Sequence, residues 1–397
     1  MEEKGFERKK KGDKPVIAIC YDFDNTLTPD DMQAQGFIQS VGYDVADFWK
    51  ESNSLAANND MDQNLAYMLK MTTEAQGNFV LNKKALNAYG AKLTLFPGVE
   101  TWFERIKEYG EQKGVIIEHY IISSGLKEMI EGTSIAQKGV FEKIYASSFY
   151  YNDRGVAVWP AQVVNFTNKT QYLFRIEKGV LDINDPAVND HFEPEEIRVP
   201  FRNMIYIGDS DTDIPCMRLV SLFKGYSIGV YNVATGDKKA ELGNKAKVYK
   251  MMKDGRIKYF APADYSEGKE LDKIVKAIID RTTDNEKLES IHYEHKKECS
   301  EYYNRIDNED CERIEWLCAL MDSSSFASTH MAIKGLFHYR DTFSEKEIND
   351  LIWIAHHNSQ VYYILRDLDV KEFYAYIILK LTKRSEEAQK IWDIISE

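Results

Sequence analysis

The feature that most constrains the fold is an alternation of short, β-rich apolar runs with segments that carry apolar residues at helical spacing. The apolar runs are VIAIC (16–20), VIIEHYII (115–122), KIYASSFYY (143–151), NMIYIGDS (203–210) and YSIGVY (226–231). Helix-like segments lie between them, for example GVETWFERIKEYGEQKG (98–114) and SSGLKEMIEGT (123–133). Strands that alternate with helices are typical of a mostly parallel sheet covered on both faces. The chain is therefore predicted to be an α/β protein.

Two segments interrupt this alternation. Residues 31–93 contain no strand pattern, carry apolar residues at helical spacing, and leave the predicted sheet directly after an acidic loop. We interpret them as a helical cap over a functional site, with a decorative helical pair as the alternative. Residues 283–397 also read as helices, which predicts a helical C-terminal domain.

The remaining residues complete the predicted domain organisation. The start, MEEKGFERKKKGDKP, is charged and lacks the apolar stretch of a signal peptide. Residues 1–14 are interpreted as a solvated tail. Residues 15–30 and 94–282 would then form the α/β core.

Composition excludes several classes of partner. The formal charge is -13, which disfavours binding to a nucleic-acid backbone. No apolar run approaches the ~20 residues that span a bilayer, so no membrane partner is expected. The 5 Cys are an odd number spread over a long chain and do not form a disulfide framework. Reduced thiols and a cytoplasmic location are predicted.

The first apolar run ends in a cluster of acids. YDFDNTLTPDD (21–31) places Asp22 and Asp24 two residues apart, so in an extended backbone both carboxylates face the same side. Ligands of such sheets bind beyond the carboxyl ends of the strands. One carboxylate can act as a nucleophile towards phosphorus, and the other, if protonated, can give a proton to the leaving oxygen. A bound Mg²⁺ would remove the repulsion between two acids and a phosphate anion.

A second acidic cluster ends a later strand. YIGDSDTDIP (206–215) contains Asp209 at the strand end and Asp213 four residues on, at the start of a helix for which Pro215 suits the first turn. Mg²⁺ selects hard oxygen ligands of this kind. Asp211 lies between the two and is predicted to point to solvent.

Two further segments offer groups for an anion. YIISSGLKEM ends an apolar strand with Ser123, Ser124 and Gly125, which are predicted to open a helix. A hydroxyl and free backbone N–H groups at a helix N-terminus bind anions, although an ordinary N-cap serine is an equal alternative. NFTNKTQYLF offers Lys169 ahead of a helix-like run, where a solvated lysine is the alternative.

In this order, the four segments resemble the motifs of the haloacid dehalogenase-like superfamily of phosphohydrolases, and the layout is most similar to its phosphoserine-phosphatase-like members. The first motif is DxDx[TV], here Asp22 to Thr26, and the fourth is GDxxxD, here GDSDTD. The second is a Ser after a strand, here Ser123. The third is a Lys, for which Lys169 is the first choice and Lys143 and Lys178 are alternatives. The resemblance covers roughly residues 15–282.

The resemblance implies a fold and a role for each residue. It implies a Rossmann-like parallel sheet, with the cap at 31–93 choosing the substrate. Asp22 would become an aspartyl-phosphate, and Asp24 would protonate the leaving group and then take a proton from water. Mg²⁺ would be held by Asp22, the main-chain carbonyl of Asp24 and Asp209. Asp213 would lie near the metal, either bound through water or serving as an anchor for Lys169. Ser123 and Lys169 would bind the phosphoryl oxygens, and Thr26 would stabilise the loop.

The function predicted on this basis is Mg²⁺-dependent hydrolysis of a small phosphorylated metabolite. The alternatives are a phosphotransferase or mutase of the same fold, and a non-enzymatic module that binds a phosphometabolite and acts through the C-terminal helices. In the cap, Trp49 is expected to pack in the core, and Lys50 is expected to be solvated. The sequence indicates neither the substrate nor the oligomeric state.

Overall fold

The computed structural model describes residues 5–233, 238–305 and 308–396. Within these residues one seven-stranded sheet forms, in the order β4-β3-β2-β1-β5-β6-β7. The strands are β1 Val16–Tyr21, β2 Ile116–Leu126, β3 Phe141–Tyr151, β4 Ala157–Gln162, β5 Met204–Gly208, β6 Tyr226–Tyr231 and β7 Tyr259–Pro262. Neighbouring strands are parallel except β3 and β4, which are antiparallel. The predicted α/β fold with a Rossmann-like, mostly parallel sheet is confirmed.

Strand β1 lies at the centre of the sheet and is buried along its whole length. Its odd-numbered residues, such as Ile17 and Ile19, belong to the hydrophobic core on one face, and its even-numbered residues, such as Ala18 and Cys20, belong to the core on the other. A strand buried on both faces reads as a continuous apolar run, which explains why VIAIC is informative.

The chain between β1 and β2 is helical, as the sequence predicts, apart from one isolated bridge between Asn82 and Val156. In the predicted cap, helices Phe37–Ser40 (α1) and Lys83–Gly90 (α4) flank two longer ones. These are Val45–Asn58 (α2), whose N-cap Asp44 accepts from two backbone amides, and Gln63–Ala75 (α3), capped likewise by Asp62.

The helices around the sheet include the one predicted within 98–114. They are α5 Val99–Gln112, α6 Lys127–Glu131, α7 Ser134–Gln137, α8 Thr170–Lys178, α9 Ile214–Leu222 and α10 Lys238–Lys253. The prediction that Ser123 to Gly125 open a helix is wrong. Strand β2 continues to Leu126, because that residue still pairs with Ser147 of β3 after a register shift, and α6 begins only at Lys127.

Two strands are absent from the prediction. Strand β4, at the edge of the sheet, contains Pro160 and exposes Trp159, so it has no apolar run. Strand β7 has only 4 residues. Both lie at the sheet's edges, where burial does not impose a pattern.

The C-terminal region consists of helices. They are α11 Glu270–Arg305, α12 Asn308–Met321, α13 Phe326–Leu336, α14 Glu345–His357, α15 Ser359–Tyr363, α16 Leu368–Leu379 and α17 Glu386–Ser396. The chain divides into two compact units, with the division between Ser290 and Ile291. The second unit has its own core, which includes Leu351, Phe373 and Ile391. The predicted division at 282/283 stays a prediction. None of the helices in the described ranges combines the length and apolar character that a membrane span requires.

The N-terminal tail is not wholly solvated, contrary to the expectation for residues 1–14. Lys9 Nζ lies 2.8 Å from Glu118 Oε1 and 2.7 Å from Glu142 Oε1. The Arg8 guanidinium donates to the backbone oxygen of Lys178 over 2.8 Å. Glu118 is buried in β2 and also takes a bidentate contact from Arg198. A buried carboxylate needs such partners, and this requirement holds the tail at the core.

Candidate active site

The three central strands of the sheet bring the predicted site residues to one edge. Tyr21 at the end of β1 is in register with Ile121 of β2 and Ile207 of β5. Asp22 follows β1 directly, and its backbone N–H donates to the carbonyl of Ile207 over 3.0 Å. Asp209 follows β5 directly, and the far end of β2 carries Ser123. The carboxyl ends of parallel strands thus place these side chains together.

Asp22 is buried and closely held. Its Oδ1 accepts from the backbone N–H of Phe23 over 2.7 Å, and its Oδ2 lies 3.2 Å from Lys169 Nζ. Burial, and then the neighbouring carboxylate of Asp213, raise the pKa of Asp22 to about 7, while Lys169 opposes the rise and Asp209 adds to it. A negative charge on Asp22 is therefore unfavourable unless cations lie near it.

Lys169, the first choice for the lysine of the third motif, lies beside Asp22 and Asp213. It ends a short 3-10 turn, is fully buried, and donates to Asp213 Oδ1 over 2.8 Å. Burial alone would lower its pKa, but Asp213 and Asp22 outweigh burial and raise it, so the ammonium stays charged. Lys178, one of the alternatives, instead donates to the backbone oxygens of Val188 and Asp190.

Asp213 is held by several donors besides Lys169. Tyr206 Oη donates to its Oδ1 over 2.9 Å, and the backbone N–H and the hydroxyl of Ser210 each donate to its Oδ2 over 3.2 Å. Because both oxygens have donors, the arrangement suits an anchor for Lys169. The side chain of Asp211 is 79% exposed, which confirms its predicted position in solvent.

Glycine at position 208 makes room for Asp213. A Cβ built there would lie 2.6 Å from both Cγ and Oδ2 of Asp213, closer than real side chains come. Gly208→Ala is therefore expected to displace Asp213 and, through it, Lys169. Because misplaced site residues slow a reaction, the catalytic rate constant of this variant should fall at least about tenfold. Gly243→Ala, whose Cβ meets nothing within 4 Å, is the control that should retain activity. Equal activity of both variants would contradict this assignment.

Asp209 and its neighbours form a group that could hold a metal ion. One oxygen from each of Asp22, Asp209 and Asp213 lies within 4.8 Å of the other two. Burial raises the pKa of Asp209 to about 6, although Lys247 Nζ, 3.3 Å from its Oδ2, lowers it. Crowded carboxylates in a buried place repel one another, and a hard divalent cation relieves that repulsion. The residues therefore fit Mg²⁺.

Asp24 lies next to the end of β2. Its Oδ1 accepts from the backbone N–H of Met32 over 2.9 Å. Burial, and then the carboxylates of Asp31 and Asp22, raise its pKa well above the ordinary range. A Cβ at Gly125 would lie 3.0 Å from Asp24 Oδ2 and 2.2 Å from the terminal carbon of Met32, so a larger residue there would require the Met32 side chain to move.

The serines of the second motif have different surroundings. Ser123 is buried, and its Oγ accepts from the backbone N–H of Gly125 over 3.0 Å, which leaves its own hydroxyl hydrogen available. The Oγ of Ser124 is buried and has no hydrogen-bond partner in the described part of the chain. Thr26 is also buried, and its carbonyl, rather than its hydroxyl, is held by Tyr265 over 2.9 Å.

A cavity of about 340 Å³ adjoins these groups. From the core it is lined by Asp22, Asp24, Ser123, Ser124, Gly125 and Asp209, among others. From α2 and α3 it is lined by Trp49, Asn53, Gln63, Asn64 and Tyr67. Its size falls in the lower part of the usual range for small-molecule sites.

Helix α3 of the predicted cap makes direct hydrogen bonds to the core. Tyr67 Oη donates to the backbone oxygen of Ser124 over 2.9 Å. Asn64 Nδ2 donates to the backbone oxygen of Val164 over 2.7 Å. These bonds place α2 and α3 against the core, where they form part of the cavity wall.

Sequence reasoning misses part of this wall. Trp49, expected to pack in the core, lines the cavity as well as packing on Phe48 and Tyr67. Lys247, on α10, is absent from the predicted site, because nothing in its helix distinguishes it from a surface lysine. Lys50 is exposed and is not among the cavity-lining residues, in agreement with expectation.

Comparison with protein families identifies the class of protein that this fold and site define. The model of the haloacid dehalogenase-like hydrolase family matches residues 19–218, and the chain belongs to that family. An uncharacterized protein from Borreliella burgdorferi is 28% identical over 284 residues, which is 64% of this chain and 94% of that protein.

Solved structures with similar folds have low sequence identity. A haloacid dehalogenase family hydrolase from Salmonella enterica serovar Typhi is 19% identical, with a TM-score of 0.38, over 55% of this chain and 65% of that chain. A phosphoserine phosphohydrolase-like protein from Francisella tularensis is 17% identical, with a TM-score of 0.35, over 62% and 94%. Cytosolic 5′-nucleotidase IIIB bound to cytidine is 16% identical, with a TM-score of 0.39, over 69% and 87%.

Proposed function

We propose that this hydrolase is a Mg²⁺-dependent phosphatase that cleaves a small phosphomonoester through an aspartyl-phosphate on Asp22. The observation that carries the proposal is the position of the Asp22 carboxylate. It lies on the wall of a cavity, 3.2 Å from a buried lysine and within 4.8 Å of two further carboxylates. A carboxylate surrounded by groups that bind phosphate and metal is suited to nucleophilic attack on phosphorus.

The first half of the proposed reaction transfers the phosphoryl group to the protein. A carboxylate oxygen of Asp22 forms a bond to phosphorus, and the bond from phosphorus to the alcohol oxygen breaks. The alcohol oxygen takes the proton of Asp24, which becomes a carboxylate. Ser123 donates its hydroxyl to a phosphoryl oxygen, and the Lys169 ammonium offsets the negative charge that develops there.

The second half returns the protein to its starting state. Water attacks the phosphorus of the aspartyl-phosphate, and Asp24 takes a proton from that water. The bond from phosphorus to Asp22 breaks, so that inorganic phosphate is released and the Asp22 carboxylate is restored. Asp24 is protonated again, and protons and charge balance over the cycle.

The metal would be held by Asp22, Asp209 and the main-chain carbonyl of Asp24. We propose that Asp213 acts on the metal indirectly and mainly fixes Lys169, since both of its oxygens already accept hydrogen bonds. When bound, Mg²⁺ polarises the phosphoryl group and neutralises charge.

Removal of the metal should abolish activity. We expect the purified chain to hydrolyse p-nitrophenyl phosphate with Mg²⁺ present, to lose that activity when EDTA is added, and to recover it with excess Mg²⁺. The reason is that the carboxylates of Asp22, Asp209 and Asp213, in or beside the cavity, would otherwise repel the substrate. Measuring p-nitrophenol and inorganic phosphate together should give equal amounts. Unchanged activity in EDTA would overturn the metal dependence, and nitrophenol without phosphate would indicate transfer to another acceptor.

A further inference from the structure

The side chains that α2 and α3 present to the cavity carry no formal charge. We propose that the cavity takes the phosphate ester of an uncharged, polyhydroxylated alcohol, and that Trp49 and Asn53 bind the alcohol part. This inference rests on the phosphatase function proposed above and names the class of its substrate. Sugars, polyols and the ribose of a nucleotide share this chemistry.

The indole ring of Trp49 packs against two neighbouring aromatic rings, and its N–H group makes no hydrogen bond to the described residues. Its ring makes edge-on contacts with Phe48, at 5.5 Å between centroids, and with Tyr67, at 5.8 Å. Its Nε1 is shielded from solvent and has no hydrogen-bond partner within the described ranges. A buried N–H without a partner costs free energy, and a small shift of the indole on binding would bring it to a substrate oxygen.

A second unused polar atom lies on the core side of the same cavity. The Oγ of Ser124, like the Trp49 donor, is buried and lacks a partner among the residues described. A hydroxyl both donates and accepts, so it complements a substrate hydroxyl in either sense. Trp49 and Ser124, on opposite sides of the cavity, thus each carry one hydrogen-bonding atom that the described residues leave unsatisfied.

Carboxamides supply the remaining polar contacts from the cap. Asn53 on α2 and Gln63 on α3 line the cavity, and each amide offers both donors and an acceptor. Such groups match neutral hydroxyls and do not compensate a formal charge. An indole ring beside them gives the apolar face against which the C–H groups of a sugar pack.

The charged groups of the wall argue against a second anion in the substrate. The charged side chains among the lining residues are those of Asp22, Asp24, Asp31, Asp209 and Lys247. Lys247 already pairs with Asp209 over 3.3 Å. A carboxylate on the alcohol part would therefore find no cation among the cavity-lining side chains of α2 and α3 and would lie near acids, and a charge without a partner is unfavourable there.

A panel of esters tests the inference with the full chain and Mg²⁺. We expect kcat/KM for a hexose 6-phosphate, glycerol 1-phosphate or a ribonucleoside 5′-monophosphate to exceed that for 3-phosphoglycerate and phosphoserine by at least about 100-fold. The three neutral alcohols separate sugar, polyol and nucleoside as the source of the hydroxyls. Higher kcat/KM for phosphoserine, 3-phosphoglycerate or phosphoethanolamine than for every neutral alcohol would overturn the inference.

Two variants test the assigned contacts. Trp49→Phe keeps an aromatic ring and removes the N–H, and Asn53→Leu removes the carboxamide from an exposed position on α2. Each should lower kcat/KM for the preferred ester about five- to tenfold, the worth of one hydrogen bond, and by more than it lowers kcat/KM for p-nitrophenyl phosphate. Asn58→Leu, an exposed residue of the same helix outside the cavity lining, is the matched control. Equal losses on all esters would contradict specific contacts with the alcohol.

A measurement of ligand binding distinguishes a failure of this inference from a failure of the proposed function. Absence of hydrolysis of any ester, including p-nitrophenyl phosphate, would overturn the phosphatase function alone. Calorimetric titration of the Asp22→Asn variant with glucose 6-phosphate and with phosphoserine then still measures the preference. Tighter binding of the neutral alcohol's ester supports the inference, and tighter or equal binding of phosphoserine overturns it.

Discussion

Replacement of Asp22 by Asn is expected to reduce hydrolysis of p-nitrophenyl phosphate by at least about a thousandfold, because an amide oxygen does not form the covalent intermediate. The change replaces one carboxylate oxygen by an amide nitrogen and keeps the shape of the side chain. It also removes charge from a crowded place: burial and the nearby Asp213 already raise the pKa of Asp22 to about 7. The variant should therefore fold, and circular dichroism should match that of the parent.

Asp211→Asn is the matched control for this loss. It makes the same chemical change two residues from Asp209, but on a side chain that is 79% exposed. Activity should stay within about twofold of the parent, as is usual for surface substitutions. Rapid acid quenching after addition of a ³²P-labelled ester should trap label on the parent and not on Asp22→Asn. Label on both chains, or an Asp22→Asn variant as active as the parent, would remove Asp22 from the nucleophile's role.

Replacement of Lys169 by Met should damage both activity and stability. Lys169 is fully buried and lies 3.2 Å from Asp22 and 2.8 Å from Asp213, so its loss leaves two buried carboxylates without their cation. Breaking a buried pair in this way costs about 3–5 kcal/mol of unfolding free energy. Loss of a positive group beside the phosphoryl oxygens should lower kcat by roughly 10²- to 10³-fold.

Lys143→Met provides the comparison, because Lys143 is an alternative for the third motif and lies on β3, outside the cavity lining. We expect it to retain activity. Denaturant unfolding of a double variant separates the two effects: Asp22→Asn/Lys169→Met should recover part of the lost stability and none of the activity. A Lys169→Met chain with normal kcat, or a Lys143→Met chain without activity, would show that the third motif was assigned to the wrong lysine.

The sequence predicts the centre of this fold well and its periphery poorly, for a physical reason. VIAIC and MIYIG are buried on both faces, so they read as continuous apolar runs, and the acids that follow them stand out. Strand β4 lies at an edge with an exposed Trp159 and gives no such pattern. The helix predicted to open at Ser123 is displaced to Lys127, because pairing with β3 extends β2.

In the candidate site, too, some residues could be predicted from the sequence and others could not. Membership of the haloacid dehalogenase-like family is confirmed, and the motif residues Asp22, Lys169, Asp209 and Asp213 lie together, although their roles stay proposals. The cavity-lining residues of α2 and α3 could not be predicted from the sequence. The periodicity of a helix shows which residues are apolar but not which of them line a cavity. Trp49 illustrates this: it packs on neighbouring rings and lines the cavity at once.

The hydrogen bond from the Met32 amide to Asp24 joins two parts of the molecule that are otherwise described separately. Met32 stands at the beginning of the cap segment, and Asp24 is the carboxyl that exchanges protons with the alcohol and with water in the proposed reaction. Any hinge motion that carries Met32 away also frees Asp24 to rotate. In the proposed reaction, loss of this hydrogen bond would let the proton donor turn away from the leaving oxygen, so the position of the predicted cap segment would affect the chemistry.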